Sequence, residues 1–134
     1  MKASSMFKKA ITPRISETNI TRHIGHNAIP VWLEEGYAEI FQLFNQDITK
    51  PCLIMVNLNM DFLNEIFLGK DAEVHTGVKK IGSSSLVLHQ EIQQDGKLCV
   101  RSSTTFVHFD YLTHKPLPIP HEVCDMLGEH LLRA

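Results

Sequence analysis

Cysteine is scarce in this sequence, and what there is does not pair. Cys52, Cys99 and Cys124 are spread over 134 residues. An odd, widely spaced set makes no disulfide framework and suits reduced thiols in a cytosol, so a cytoplasmic location is expected. No apolar run approaches the ~20 residues of a membrane span. The lysines near the N-terminus lead into no apolar stretch, so residues 1–10 do not read as a secretory signal. Without that route the Asn19-Ile20-Thr21 glycosylation pattern carries little weight. Charge of one sign is also lacking: 13 Lys and Arg stand against 15 Asp and Glu, a net charge of −2. That balance gives no global attraction to nucleic acid or to an anionic membrane. Internal repeats, low-complexity segments and long linkers are absent, as are a P-loop and a dinucleotide fingerprint. His121, Glu122 and His130 do not have metal-ligand spacing, since positions nine apart share no tight helical face. No metal and no cofactor is expected.

What is present is globular. Apolar residues make up 43% and charged residues 21% of the chain, an ordinary balance. A chain of this length buries roughly two-thirds of its unfolded surface, enough for a core without disulfides or metal. A single domain over residues 1–134 is expected.

The patterning predicts a short first strand over residues 10–17, broken near Pro13, then a polar loop over residues 18–26. Asn27 is a good N-cap type, and Pro30 falls where a first helical turn tolerates proline. Trp32, Leu33, Gly36, Tyr37, Ile40, Phe41 and Phe44 then recur at helical spacing. With Ala38 and Leu43 they cover more than half the circumference, which predicts a long helix buried on most sides and ending before Pro51. Ile54, Val56, Leu58, Met60 and Phe62 alternate with Met55, Asn57, Asn59 and Asp61, the period of a strand. Strands are also predicted over residues 73–81, from residue 86, and over 98–109. Leu68-Gly69-Lys70-Asp71 is a turn, and Asp95-Gly96 a strong hairpin signal. After a proline-rich segment, a short helix is predicted over residues 121–132. An α+β architecture follows, an antiparallel sheet wrapped round a long central helix, because that is how a sheet buries a helix on several faces. This is the hotdog fold.

Residues 17–27 form the densest polar stretch and immediately precede the helix. Amides at a helix start point outward, and the dipole there favours negative charge. Such a place can polarise a carbonyl and hold an oxyanion, although the same residues also serve simply as a cap and turn. An imidazole titrates near neutrality, so His23 and His26 are the side-chain type for proton transfer. Glu34 and Glu35 lie in the first helical turns, where a carboxylate either serves the site or offsets the dipole.

The stretch over residues 17–35 resembles the 4-hydroxybenzoyl-CoA thioesterase-like hotdog family. That family's pattern is D-T-D-x-x-G-H-V-N-N-A, with paired glutamates eleven and twelve positions after the histidine. His23 takes the histidine position, and Glu34 and Glu35 fall at those offsets. Met60-Asp61-Phe62-Leu63, Leu68-Gly69, Lys80-Ile81-Gly82-Ser83-Ser84-Ser85-Leu86, Asp95-Gly96 and Lys115-Pro116-Leu117-Pro118-Ile119-Pro120 are also similar to the family, in order. The resemblance spans roughly residues 10–123.

The resemblance implies an acyl-CoA thioesterase that releases a carboxylic acid and free coenzyme A. It also implies a homodimer or homotetramer, with sheets joined edge to edge and sites at the subunit interface. This chain departs from the pattern where it matters. Asn19 stands where the family has its catalytic aspartate, Glu17 replaces the first acidic residue, and Arg22 replaces the glycine. Gly25 and His26 replace the two asparagines. An amide is neither a carboxylate base nor a nucleophile, so Asn19 is expected to hold water or the thioester oxygen. The proton then passes to another group, with His23, His26 and Glu35 as candidates. Asn27 and Ala28 are expected at the oxyanion, Trp32, Tyr37 and Phe62 around the acyl group, and Asp61 at the substrate, where it is a further candidate to take the proton. Lys80, Ser83 and Ser84 are expected near the nucleotide phosphates of coenzyme A. A second reading is an acyl-CoA or acyl-carrier-protein binding module that does not hydrolyse, because Asn19 replaces the aspartate. A third, a hydratase or dehydratase, lacks any feature aimed at the chain carbons.

Overall fold

The structure is a computed structural model and describes residues 6–20, 22–45 and 52–132. Thr21 of the glycosylation triplet, Pro51 and the first five residues lie outside the described residues. The chain runs β1 (Phe7–Ile11), α1 (Ile29–Phe44), β2 (Leu53–Phe62), β3 (Ala72–Ile81), β4 (Ser85–Gln94), β5 (Lys97–Asp110), β6 (Lys115–Pro116) and α2 (His121–Gly128). The five longer strands form one antiparallel sheet in the order β1-β3-β4-β5-β2, and β6 pairs with the end of β5. The sheet curls round α1, which is the hotdog arrangement. Ladder irregularities between Met55 and Asn57, Val78 and Lys80, and Ile92 and Gln93 accompany the curl, since a bulge bends its strand and increases the twist.

The concave face follows from alternation. Val74 and Val78 on β3, Leu86, Leu88 and Ile92 on β4, and Val100 and Phe106 on β5 are buried against the helix. Each such side chain contributes about 1.5–3 kcal/mol when fully buried. From α1, Ile29, Trp32, Leu33, Gly36, Tyr37 and Ile40 are buried. At Gly36 the helix backbone comes close to the sheet. A Cβ there would lie 2.6 Å from Thr76 Oγ1 and 2.7 Å from Gln90 Nε2. Gln90 Nε2 donates to the Leu33 carbonyl at 2.9 Å and to Thr76 Oγ1 at 2.9 Å, tying helix to sheet.

Several expectations from the sequence are corrected. The first strand is Phe7–Ile11, ahead of Pro13 and not across it. The helix begins at Ile29 behind a 3₁₀ turn, His26–Ala28, and its N-cap is Ala28 with no side-chain cap, so Asn27 does not cap it. The buried positions of α1 form one stripe, while Val31, Glu34 and Glu35 are exposed. One curved sheet reaches one face of a helix, so the helix is not enclosed on most sides. The terminal helix stops at Gly128. Beyond it the main chain runs beside β3: Val78 N donates to His130 O, and Leu132 N to Val78 O.

Candidate active site

The loop before α1 is shaped by its own polar side chains. Glu17 accepts from Arg14 N at 2.8 Å and from Trp32 Nε1 at 2.7 Å, so it fastens the loop to the buried face of the helix. Trp32 is only 1% exposed. It is a core residue anchored to the loop and lines no part of the cleft described below. Asn19 N donates to His23 O at 2.8 Å, and Arg22 N donates to Asn19 O at 3.1 Å. Asn19 Oδ1 accepts from His23 N at 3.3 Å. This tight turn holds Arg22 at φ 68°, a left-handed conformation that glycine adopts without strain.

The turn faces the segment that follows β2. Leu63 N and Asn64 N both donate to Cys99 O, at 2.8 and 3.2 Å, and Ile24 N donates to Ile66 O at 2.8 Å. A cleft of about 320 Å³ lies between them. Asn19, His23 and His26 line it from the loop, Ile29 from the helix, and Phe62, Asn64 and Glu65 from the other side. His23 Nδ1 lies 3.1 Å from Glu65 Oε1, with side-chain exposures of 27% and 59%. A carboxylate oxygen accepts, so in this contact Nδ1 is the donor. The His23 ring also meets Phe67 edge-on at 4.9 Å between centroids. His26 meets Phe62 in the same manner at 6.5 Å.

The structure therefore brings Asn19, His23, His26 and Phe62 together. It does not bring the other predicted residues to the cleft. Asn27 is exposed, and the Ala28 amide donates to Gly25 O at 3.0 Å in the 3₁₀ turn. Glu35 is exposed on α1 and lines no part of the cleft. Asp61 is exposed and pairs across the ladder with Arg101 at 3.3 Å. Lys80, Ser83 and Ser84 sit at the β3–β4 hairpin, where the Ser84 carbonyl accepts from His108 N and the Ser83 carbonyl from Ile119 N. Leu86 at that end pairs with Phe106, whereas Val100 beside the cleft pairs with Ile92. Six residues of strand separate the two levels, about 20 Å.

Sequence reading missed Glu65. It lies 42 positions after His23, with no fixed spacing to it. The only signal was Asn64-Glu65 breaking the alternation of β2.

A second recess of about 330 Å³ opens further along α1, lined by Tyr37, Phe41, Leu53, Met55 and Phe106 with Glu34 at its margin. Tyr37 and Thr104 share a hydrogen bond of 3.2 Å. Burial pushes the Tyr37 phenol up from its ordinary value, against the Thr104 bond, and Glu34 pushes it the same way. Among the described residues no group of three or more His, Cys, Asp and Glu is placed to hold a metal ion. Among them, too, no helix is long and apolar enough to cross a membrane.

Comparison with known proteins gives the following. The family model described as Thioesterase-like superfamily matches residues 13–127. A structure described as a predicted thioesterase from Bacillus stearothermophilus is 37% identical, with 96% of this chain and 98% of that chain covered and a TM-score of 0.93. A thioesterase from Thermus thermophilus, complexed with coenzyme A and Zn, has a TM-score of 0.83 at 17% identity, covering 90% of this chain and 95% of that one. A 1,4-dihydroxy-2-naphthoyl-CoA thioesterase from Synechocystis has a TM-score of 0.78 at 17% identity, covering 92% and 96%. At those lower identities the likeness is one of fold. No curated protein matches.

Proposed function

Because this chain belongs to the thioesterase-like superfamily, we propose that it hydrolyses acyl-CoA thioesters in the cleft at the start of α1. The observation that carries this reading is the His23–Glu65 contact of 3.1 Å on the wall of that cleft, which Asn19 also lines. Coenzyme A in the Thermus thermophilus relative supports the choice of thiol.

In this reading Glu65 orients the His23 ring, and Nε2 takes a proton from water as a general base. The water oxygen attacks the thioester carbonyl carbon. Negative charge develops on the carbonyl oxygen, where the amide of His26 in the 3₁₀ turn and the helix dipole behind it stabilise it. The C–S bond then breaks. His23 returns its proton to the departing sulfur, giving free coenzyme A and a carboxylic acid. Asn19 positions the water or the carbonyl through its amide, which cannot act as base itself. The base is thus a histidine with a carboxylate behind it, in place of the aspartate of the family pattern. Phe62, Ile29 and Val100 supply apolar surface for the acyl group beside the reacting carbonyl.

In this reading the phosphates meet Lys80, Ser83 and Ser84 of a second copy, since in one chain the turn and the cleft lie at opposite ends of the sheet. Among the described residues β2 is an edge of the sheet, paired with β5 alone. It is ten residues long and carries exposed Met55 and Val56. A long exposed edge is a template for another strand, and the proposal is an edge-to-edge dimer through β2. A monomer in size-exclusion chromatography with light scattering contradicts it.

The test is turnover. Purified protein is incubated with short, medium, long-chain and aromatic acyl-CoAs, and free thiol is followed. Thiol release from at least one class is expected. The second reading, a non-hydrolysing binding module, rests on Asn19 in place of a carboxylate. It is favoured if no thiol appears, acyl-CoA still raises the melting temperature, and Asn19→Asp creates activity. Loss of an existing activity in Asn19→Ala excludes it.

A further inference from the structure

Gln94 is the last residue of β4 and is 7% exposed. Its amide is used at both ends on one short stretch of main chain. Oε1 accepts from Phe67 N at 3.0 Å, and Nε2 donates to Phe67 O at 2.8 Å and to Lys70 O at 2.9 Å. Both backbone groups of Phe67 are therefore clamped by one side chain, much as a neighbouring strand would clamp them. The same stretch is also tied to the loop by an isolated bridge between His23 and Phe67, with Ile24 N donating to Ile66 O. Between the end of β2 at Phe62 and the start of β3 at Ala72 the chain forms no strand of its own. Two residues before Phe67 stands Glu65, which meets His23 at 3.1 Å, and the Phe67 ring itself meets the His23 ring edge-on at 4.9 Å. The two groups that fix the His23 ring from this side are thus carried by the stretch that Gln94 holds.

We propose that Gln94 is a positioning residue for the His23–Glu65 pair: by pinning Phe67 at both backbone groups it sets where Glu65 and Phe67 meet the His23 ring. The proposal rests on the reading of that pair as the proton-transferring unit. The chemistry selects glutamine. The job takes one acceptor and one double donor on a single planar group. Leucine matches the volume and leaves three main-chain polar groups unpaired. Glutamate keeps an acceptor for Phe67 N and sets a charge against two carbonyl oxygens.

The experiment is a double-mutant cycle on the full chain. kcat and KM are measured by thiol release for Gln94→Leu, Gln94→Glu, Glu65→Gln and the Gln94→Leu/Glu65→Gln pair, with folding checked by circular dichroism and thermal unfolding. In folded protein, Gln94→Leu is expected to lower kcat about tenfold or more with KM little changed, because a small misplacement of a catalytic pair is costly. Once Glu65→Gln has removed the carboxylate, the same change should cost clearly less, since contacts that act through one another are not additive. An equal factor in both backgrounds marks a merely structural role and overturns the proposal. So does unchanged kcat in the Gln94 variants beside a slow Glu65→Gln. Failure of both Gln94 variants to fold makes Gln94 a stability residue and overturns it too. Wild-type turnover in Glu65→Gln overturns the functional reading itself, and with it this role.

Discussion

Glu65 Oε1 lies 3.1 Å from Nδ1 of His23, across 42 positions of sequence. The contact joins the loop before the helix to the segment after β2. It brings a carboxylate to a loop that has Asn19 where the family pattern has aspartate. Removing either partner should therefore be a catalytic lesion more than a structural one. His23→Ala and Glu65→Gln are each expected to lower kcat by about 10²-fold or more. The Glu65 carboxylate is more than half exposed, so Glu65→Gln should move stability by no more than about 1 kcal/mol. Thiol-release kinetics beside urea unfolding check both halves, and a drop below threefold in both variants contradicts the base assignment.

Arg22 takes a left-handed conformation at φ 68°, where the family pattern has glycine. A side chain there is strained by about 1–2 kcal/mol, partly returned because glycine has more freedom to lose on folding. Arg22→Gly is expected to stabilise by about 1 kcal/mol, a rise of a few degrees in melting temperature. Differential scanning calorimetry reads it. An unchanged or lower melting temperature means that Arg22 makes compensating interactions.

Glu17 caps the buried indole of Trp32 through a 2.7 Å bond. Glu17→Ala leaves Trp32 Nε1 without this acceptor in the core, a loss of about 1–3 kcal/mol. Glu17→Gln keeps an acceptor and should lose less. Urea midpoints of the two variants test the order, and equal midpoints contradict the clamp.

Gly36 has no room for a branched side chain, because Thr76, Gln90 and Val74 already lie under 3.0 Å from the place of a Cβ. Gly36→Val is expected to destabilise by about 1–3 kcal/mol through overpacking. Chemical denaturation measures it, and a variant as stable as the parent shows that the sheet can retreat from the helix at this point.

Alkaline pH should weaken the fold. Burial pushes the Cys99 and Cys52 thiols and the Tyr37 phenol above their ordinary values. A raised group contributes stability that is complete below its unfolded pKa and is lost as pH rises through its folded one. The loss should therefore begin above the ordinary thiol value, about pH 8.5. Urea midpoints at pH 8 and pH 10 should differ, the second being lower, and Cys99→Ala should make the decline shallower. A midpoint that holds between the two contradicts the sign.

The helix, the four long strands and the Asp95-Gly96 hairpin were legible in the sequence, since periods of 3.6 and 2 and a turn with positive φ at both residues are local properties. The polar loop was legible for the same reason, as an uninterrupted polar run ahead of a helix. Composition and patterning pointed to a long helix and an antiparallel sheet, with the polar loop that carries His23 and His26 at the helix start, and the family resemblance singled out Asn19. Only the tertiary structure decided what stands opposite them. The ladder of β2 on β5 carries residues 63–67 back over the loop, which puts Glu65 on His23. The same packing leaves Glu35 on the outer side of α1, pairs Asp61 with Arg101 away from the cleft, and keeps the Lys80–Ser84 turn at the far end of the sheet. Such meetings depend on register between segments tens of residues apart, and strand register is set by burying a whole face at once, which no local pattern contains.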